Sequence, residues 1–172
     1  MAKILKGKEV AAKITEENIA KAQQLTEMGH TPTLAVIRVG ARPDDVYYEG
    51  SIKKNCEKTG IRCLATELPA DVTQADLEKT VKATSENPEV DGIFFFSPLP
   101  KNLDEKAARS LIAVDKDIDS LTMGSAAKVF AGETDGFAPC TPTAVMEILH
   151  HNEIPLKGKR VTVIGRSMVV GK

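Results

Sequence analysis

A predicted helix in the first third of the chain combines two tyrosines with two lysines: Tyr47, Tyr48, Lys53 and Lys54. A tyrosine on a helix that faces a cleft can stack on a flat heterocycle or hydrogen-bond to it. A partly desolvated lysine amine can transfer a proton. The residue one turn after Tyr48 is Ile52, however, and Lys53 is rotated by about 100° around the helix. The pattern alone favours tyrosines that cover the core and lysines in solvent.

Residues 91–100 form an apolar run that ends in Ser-Pro-Leu-Pro, with Pro98 and Leu99 at the turn. In α/β folds, ligands bind at the carboxyl ends of strands, which is where this turn lies. The run contains three consecutive phenylalanines, 94–96, and strand side chains alternate between faces. Either both faces of this strand are covered, as is usual for a central parallel strand, or one ring lines a pocket.

A loop aspartate, Asp119, could accept hydrogen bonds from an amino-heterocycle, although an aspartate that stabilises a turn or caps a helix is more common. The histidines show no metal-ligand spacing with acids or cysteines, so no metal site is predicted; they are His30, His150 and His151. The two adjacent histidines near a helix end are better explained as solvated residues or C-terminal caps.

The chain closes with an apolar run, 160–165, that predicts a buried strand, followed by the glycine-containing turn 165–171. Backbone N–H groups in such a turn can bind an anion, and Arg166 could pair with a phosphate through two hydrogen bonds. The spacing differs from the usual G-x-G-x-x-G pattern. An ordinary strand–turn–helix junction with a solvated Arg166 therefore explains the pattern equally well.

Alternating helical and strand patterns provide the elements that must position these residues. The pattern predicts helices over 8–28, from Asp44 or Asp45 to Gly60, after a Thr73/Asp76 capping pair, over 103–112, and from a Thr141 cap to His150 or His151. It predicts strands over 33–39, 61–68, 90–96 and 160–165, and loop with short helical pieces over 114–139. This order predicts an α/β fold with three layers, in which helices flank a mostly parallel sheet. A second, Rossmann-like unit begins near the last helix and is incomplete.

The bulk composition excludes several classes of protein. The chain has 172 residues, with 23 basic and 24 acidic side chains and a net charge of −1. It therefore lacks the excess of basic residues that is typical of nucleic-acid-binding proteins. No apolar stretch is long enough to span a membrane, and the first residues lack a signal-peptide pattern. The cysteines, three in number and widely spaced, fit neither a disulfide framework nor a zinc site. A reducing, cytoplasmic location is therefore predicted.

Six segments, in order along essentially the whole chain, resemble the methylenetetrahydrofolate dehydrogenase/methenyltetrahydrofolate cyclohydrolase family, also called the FolD family. They are residues 35–40, Tyr48, Asp91-Gly-Ile with Pro98-Leu-Pro, residues 116–119, Pro139-Cys-Thr-Pro, and Gly165-Arg-Ser with Val170-Gly171. The resemblance implies oxidation of 5,10-methylenetetrahydrofolate with NADP, or NAD in some members, and hydrolysis of the methenyl product to 10-formyltetrahydrofolate. It also implies two α/β domains with a folate cleft between them, and a homodimer when full length.

The resemblance implies a role for each matching position. Tyr48 would contact the folate and Asp119 would bind its pterin-like ring, and these two are the candidate catalytic residues. Pro98 and Leu99 would line the pocket. The cofactor residues would be Gly165, Arg166 and Ser167, with Arg166 the natural partner of a 2′-phosphate. Residues 1–141 would form the folate-binding catalytic domain, and 142–172 the connecting helix, first strand and turn of the NAD(P)-binding domain.

Two positions depart from the family pattern. The usual catalytic lysine falls at Ile52, and the usual glutamine before the Pro-Leu-Pro turn falls at Phe96. Both groups support the hydrolytic step, so the resemblance implies a dehydrogenase with weak or absent cyclohydrolase activity. A complete dinucleotide-binding unit needs about a hundred more residues, so we expect this chain to be inactive as a dehydrogenase. The alternatives are a non-catalytic folate-binding module and, less well supported, an unrelated α/β nucleotide-binding protein.

Overall fold

The structure is a computed structural model, and it describes residues 4–167 and 169–171. The elements in chain order are α1 (Lys8–Glu27), β1 (Thr33–Val39), α2 (Pro43–Thr59), β2 (Arg62–Leu68), α3 (Gln74–Glu86), β3 (Gly92–Phe95), α4 (Glu105–Arg109), a 3₁₀ helix (Val114–Lys116), α5 (Met123–Ala131) and α6 (Cys140–His151). None of the helices in this described part is both long and apolar enough to cross a bilayer.

The three strands form one parallel sheet in the order β2-β1-β3, which confirms the predicted α/β class. Residues of central β1 pair on both sides, so that Ala35 lies opposite Leu64 of β2 and Ile93 of β3. Because the strands are parallel, their carboxyl ends meet at a single edge of the sheet. The loops that follow β1 and β3 therefore lie close to each other, at the edge where ligands bind in such folds.

Helices cover both faces of the sheet. On one face, β1 and β3 pack against α3 and α4 through a continuous apolar core in which Ile37, Leu77 and Ile93 are fully buried. Burial of each such side chain contributes roughly 1.5–3 kcal/mol. The opposite face carries Arg38, whose guanidinium pairs with Glu49 of α2. This arrangement confirms the predicted layers and fixes α2 against the sheet.

Two predicted helix caps are wrong. Helix α2 begins at Pro43 rather than after Asp44 or Asp45, because Asp45 binds the Arg42 side chain at 2.6 Å and proline needs no partner for a missing N–H. Helix α6 begins at Cys140, so Thr141 lies inside its first turn. The Thr73/Asp76 capping pair at α3 is confirmed, with Thr73 Oγ1 accepting the Asp76 N–H at 3.1 Å.

The other differences concern lengths and one strand. Helix α4 spans only Glu105–Arg109, within the predicted range 103–112, and β3 ends at Phe95. Residues 160–165 form no strand and are exposed, which contradicts the predicted buried strand. A parallel strand needs neighbours for its N–H and C=O groups, and among the described residues none pairs with this segment.

Candidate functional site

A cavity of about 520 Å³ opens at the carboxyl edge of the sheet. It lies between the start of α2, the end of β3, the end of α4 and the loop before α5, with part of the C-terminal turn along one side. The lining residues are Asp44, Asp45, Tyr48, Phe94, Phe95, Phe96, Ser97, Arg109, Asp119, Leu121, Ser167 and Val169. The structure thus brings together Tyr48, Asp119 and Ser167, which the sequence placed in three separate segments.

One wall of the cavity consists of three aromatic rings. The Tyr48 ring centroid lies 5.8 Å from that of Phe94 and 6.1 Å from that of Phe96, and the two phenylalanines are 5.1 Å apart. The pairs between Phe96 and each of the other two rings are edge-on, a favourable geometry for aromatic rings. Tyr48 remains 52% exposed, so its ring is free to contact a ligand.

The alternation of β3 explains why three consecutive phenylalanines are tolerated. Phe95 lies in the apolar core and is 3% exposed, while Phe94 and Phe96 turn to the other face, toward Tyr48. Both sequence-based alternatives therefore hold in part, because both faces of the strand are covered and rings on one face also line the cavity. Phe96 is itself only 6% exposed, so the position where the family pattern has glutamine contributes apolar packing.

Asp119 joins the cavity to α6. Its Oδ1 accepts the backbone N–H of Cys140 at 2.8 Å, which supplies the cap that the sequence assigned to Thr141. Two residues earlier, Asp117 is fully buried and accepts the N–H groups of Leu121 and Thr122 at 2.9 and 2.7 Å. Asp117 thus stabilises the loop, whereas Asp119 lines the cavity. The sequence Asp-Ile-Asp alone does not show which aspartate has which role.

Cys140 lies directly beside Asp119. Its thiol donates to the carbonyl of Ile118 at 3.4 Å. Loss of solvent around the sulfur and the negative charge of Asp119 raise the pKa of the Cys140 thiol to about 11. The thiol is therefore neutral at physiological pH and is a poor nucleophile. A catalytic role for this cysteine has no support in its environment.

The Pro-Leu-Pro turn lies at the border of the cavity. Ser97 lines the cavity, Pro98 is exposed beside it, and Leu99 packs against the apolar core. The Leu99 N–H donates to Glu105 Oε2 at 2.7 Å, which ties the turn to α4. The substrate contacts of Pro98 and Leu99 that the resemblance implies remain predictions.

Arg109 is a cavity residue that the sequence analysis missed. It is the last residue of α4, its Nη2 donates to Ser97 Oγ at 3.2 Å, and its guanidinium contacts Glu105. Burial lowers its pKa, while the nearby carboxylates of Asp117 and Asp119 oppose that change. No motif marks this arginine, because its proximity to Asp119 arises only when α4 folds against the sheet.

The lysine nearest to Tyr48 is held away from the cavity by other partners. Lys53 Nζ contacts Glu49 and lies 3.6 Å from Glu67 of β2. Glu49 also binds Arg38, at 2.5 Å. Burial acts to raise the pKa of Glu49, but the hydrogen bonds from Lys53 and Arg38 outweigh it and leave that pKa lowered. Lys53 therefore does not take the place of the lysine that the family pattern has at position 52.

The C-terminal turn folds back tightly on itself. The Gly171 N–H donates to the Ser167 carbonyl at 2.9 Å, and the Val170 N–H donates to Ser167 Oγ at 3.1 Å. A Cβ on Gly171 would lie 2.2 Å from the carbonyl carbon of Gly165, so this position requires glycine. Arg166 is exposed at the turn. The turn thus has the glycine and the exposed arginine that a phosphate-binding turn can use, and the cofactor contacts of Gly165, Arg166 and Ser167 remain predictions.

A parallel α/β sheet with a cavity at its carboxyl edge defines a class of small-ligand-binding α/β proteins. Residues 5–119 match the family model of the tetrahydrofolate dehydrogenase/cyclohydrolase catalytic domain. Residues 139–172 match the model of the NAD(P)-binding domain of the same enzymes. The chain belongs to the tetrahydrofolate dehydrogenase/cyclohydrolase family.

Curated relatives agree over the whole chain. It is 54% identical over 172 residues to the bifunctional protein FolD of Carboxydothermus hydrogenoformans and 48% identical to that of Alkaliphilus oremlandii. Each alignment covers 100% of this chain and 60% of the relative. The chain thus spans about three fifths of the length of the curated relatives that it matches.

Solved structures show the same fold. The bifunctional FolD enzyme of Campylobacter jejuni superposes with a TM-score of 0.95 at 36% identity, over 98% of this chain and 60% of that one. A Trypanosoma brucei FolD structure, described as complexed with NADP cofactor and inhibitor, gives a TM-score of 0.92 at 34% identity, over 99% and 58%. The second domain is therefore truncated relative to these structures.

Proposed function

We propose that this chain is the folate-binding half of an NADP-dependent 5,10-methylenetetrahydrofolate dehydrogenase of one-carbon metabolism that has little or no cyclohydrolase activity. The observation that carries the proposal is the cavity that joins Tyr48, Phe96 and Asp119 at the carboxyl edge of the sheet. Residues 1–141 are the folate-binding catalytic domain, and 142–172 begin the cofactor-binding domain.

The substrate roles follow from the chemistry of the cavity walls. The exposed face of Tyr48 stacks on the flat bicyclic ring of the folate. Asp119 accepts hydrogen bonds from the ring N–H and amino groups, and as a carboxylate it offers several acceptor sites besides the one used by Cys140. Pro98 and Leu99 would contact the substrate from the turn that follows the cavity-lining Ser97.

The C-terminal turn would hold the cofactor. Gly165 and Ser167 would present backbone N–H groups to a phosphate, and Arg166 would pair with a 2′-phosphate, which favours NADP over NAD. When bound, the nicotinamide cofactor supplies the hydride acceptor. Ser167 lines the same cavity as Tyr48, so these residues would bring the two ligands together there. Hydride transfer depends mainly on holding the two partners in place, which these residues do without a proton-transferring group.

Hydrolysis of the methenyl product requires different chemical groups from hydride transfer. It requires an activated water and stabilisation of the oxyanion that forms. Ile52 and Phe96 carry no polar side-chain atoms, and Lys53 is held by Glu49 and Glu67. Of the described residues that line the cavity, Arg109 is the single basic one, and a guanidinium does not accept protons in proteins. Oxidation is therefore favoured over hydrolysis.

A non-catalytic folate-binding module is the second candidate. Ile52 and Phe96 favour it, because neither side chain can take part in the chemistry for which the family pattern has lysine and glutamine. Both candidates place the folate in the same cavity. They differ in whether hydride transfer occurs once a complete cofactor-binding domain is supplied.

Assembly and location follow from the family and the composition. We propose a homodimer for the full-length protein, with folate as its small-molecule substrate and with no nucleic-acid or membrane partner. A cytoplasmic location remains the prediction from cysteine usage.

The test is folate binding by the 172-residue chain, measured by titration calorimetry with 5-formyltetrahydrofolate as a stable probe. Tyr48→Ala and Asp119→Asn should each weaken binding by about 10-fold, since each removes one strong contact. The asparagine keeps an oxygen that can accept the Cys140 N–H. Tyr47→Ala and Asp115→Asn are the matched controls, because both residues are exposed and lie outside the cavity. If the control variants lost as much affinity, the folate site would not lie in this cavity.

A further inference from the structure

Among the polar side chains that line the cavity, Tyr48 and Asp119 bind the folate in the proposed function, whereas Arg109 has no role in it. Tyr48 enters from α2, Asp119 from the loop before α5, and Arg109 from the end of α4. Arg109 is not part of any segment that carries the family resemblance. Its side chain nevertheless borders the same cavity as Asp119, and the Asp119 charge is close enough to act on its guanidinium.

The hydrogen bonds of Arg109 within the protein are incomplete. Nη2 donates to Ser97 Oγ at 3.2 Å, and the guanidinium contacts Glu105. Nε is buried and, among the described residues, has no hydrogen-bond partner. A guanidinium has five N–H donors, and a buried donor that is left unpaired costs stability. The Arg109 side chain is nevertheless 26% exposed, and Nη1 makes no hydrogen bond to the described residues, so the donors that a ligand acceptor could use are those of Nη1.

The neighbours of Arg109 indicate what kind of acceptor that is. Asp44, Asp45 and Asp119 all line the cavity, so an anionic group of the ligand would meet like charges there. A neutral carbonyl oxygen meets no such repulsion. The Asp119 carboxylate can accept hydrogen bonds from N–H groups of a ligand, and the Arg109 guanidinium can donate a hydrogen bond to a carbonyl oxygen. Together they form a donor–acceptor pair. Such a pair matches the edge of a 2-amino-4-oxo heterocycle, in which N–H and amino donors adjoin the ring oxygen.

Resting on the proposed folate site, we propose that Arg109 determines specificity by donating a hydrogen bond to the 4-oxo oxygen of the pterin ring while Asp119 accepts from the adjacent N–H groups. The two residues together select a 4-oxo ring over a 4-amino ring. A 4-amino ring presents a donor to Arg109 and lacks the N–H at the neighbouring ring position. The hydrogen bonds to the 4-oxo oxygen and from the ring N–H are then lost, and only that from the 2-amino group to Asp119 remains.

The test compares two probes that differ at this position, folic acid and its 4-amino-4-deoxy analogue, by titration calorimetry with the 172-residue chain. The unmodified chain should bind folic acid about 10- to 100-fold more tightly than the analogue. Arg109→Met combined with Glu105→Gln should abolish this preference. The glutamine avoids an unpaired carboxylate and retains an oxygen for the Leu99 N–H. Lys106→Met, on the same helix but outside this cavity, is the matched control and should keep the preference.

A ratio of affinities separates this role from a structural one, because misfolding weakens both probes alike. An unchanged preference in the Arg109→Met/Glu105→Gln chain overturns the role of Arg109 and leaves the folate site intact. Equal affinity of the unmodified chain for the two probes overturns it as well. Failure of the unmodified chain to bind either probe counts against the folate site itself and therefore against the proposed function.

Discussion

Replacing Ile52 with lysine and Phe96 with glutamine should raise the rate of methenyltetrahydrofolate hydrolysis by about 100-fold in a chain completed with a cofactor-binding domain. Ile52 lies one turn after Tyr48 on α2, so a lysine there would lie beside that ring. Glutamine at 96 would add an amide beside Tyr48, whose ring now packs against Phe96. Proton transfer by a placed side chain is worth about 10²–10⁴-fold. The measurement is the loss of methenyl absorbance with time.

The matched control for that gain is Ile52→Met with Phe96→Leu, which changes the same positions without adding polar groups. It should leave hydrolysis at its original rate. Each single polar substitution should give less than the double substitution, because water activation and oxyanion stabilisation act together. If the polar double variant hydrolyses no faster than the apolar one, the two departures do not explain a loss of cyclohydrolase activity.

Replacing Glu49 with alanine should lower the free energy of unfolding by about 3–5 kcal/mol, since it leaves a buried charge without its partner. Arg38 and Glu49 side chains are only 5% and 4% exposed, and their nitrogen and oxygen lie 2.5 Å apart. Arg38 would keep Glu67, but that carboxylate is half exposed. Urea denaturation measures the change. Glu17→Ala is the control, because its exposed pair with Lys13 is worth about 0–1 kcal/mol.

The same network makes a prediction about acid. The folded-state pKa of Glu49 is lowered by its hydrogen bonds to Lys53 and Arg38, against the opposing effect of burial. A group with a depressed pKa contributes stability above its unfolded pKa and loses that contribution as the pH falls through its folded pKa. The difference in stability between the unmodified chain and Glu49→Gln should therefore shrink as the pH falls below about 4. A difference that stays constant down to pH 2 would contradict this assignment.

The sequence predicted the sheet well because periodicity reports which side chains are buried. The apolar run of β1 and the helix that ends at Gly60 lie where predicted, and Gly60 adopts the left-handed conformation of a helix cap. The prediction of a strand over 160–165 was wrong for a physical reason. An apolar run becomes a strand only beside other strands, and no strand of the described residues lies next to it.

The cavity itself was harder to predict, since its residues meet only in three dimensions. Tyr48 and Asp119 were identified through short segments of the family pattern, and the structure places both at one cavity. Arg109 and Glu49 belong to no such segment, and the segment that contains Arg38 does not indicate its partner. Glu49 lies 11 positions from Arg38, and Ser97 lies 12 positions from Arg109 and outside its helix. Spacing along the chain carries no signal for such pairs.

The central claim is that this cavity serves oxidation without hydrolysis, and a direct test compares the two rates in one protein. Residues 1–172 would be continued by the remaining sequence of the Carboxydothermus relative, which is 54% identical over this region. NADP reduction with methylenetetrahydrofolate and hydrolysis of methenyltetrahydrofolate would then be measured on the same preparation. We predict NADP reduction with hydrolysis no faster than in buffer. Enzyme-dependent hydrolysis at a rate comparable to NADP reduction would contradict the account.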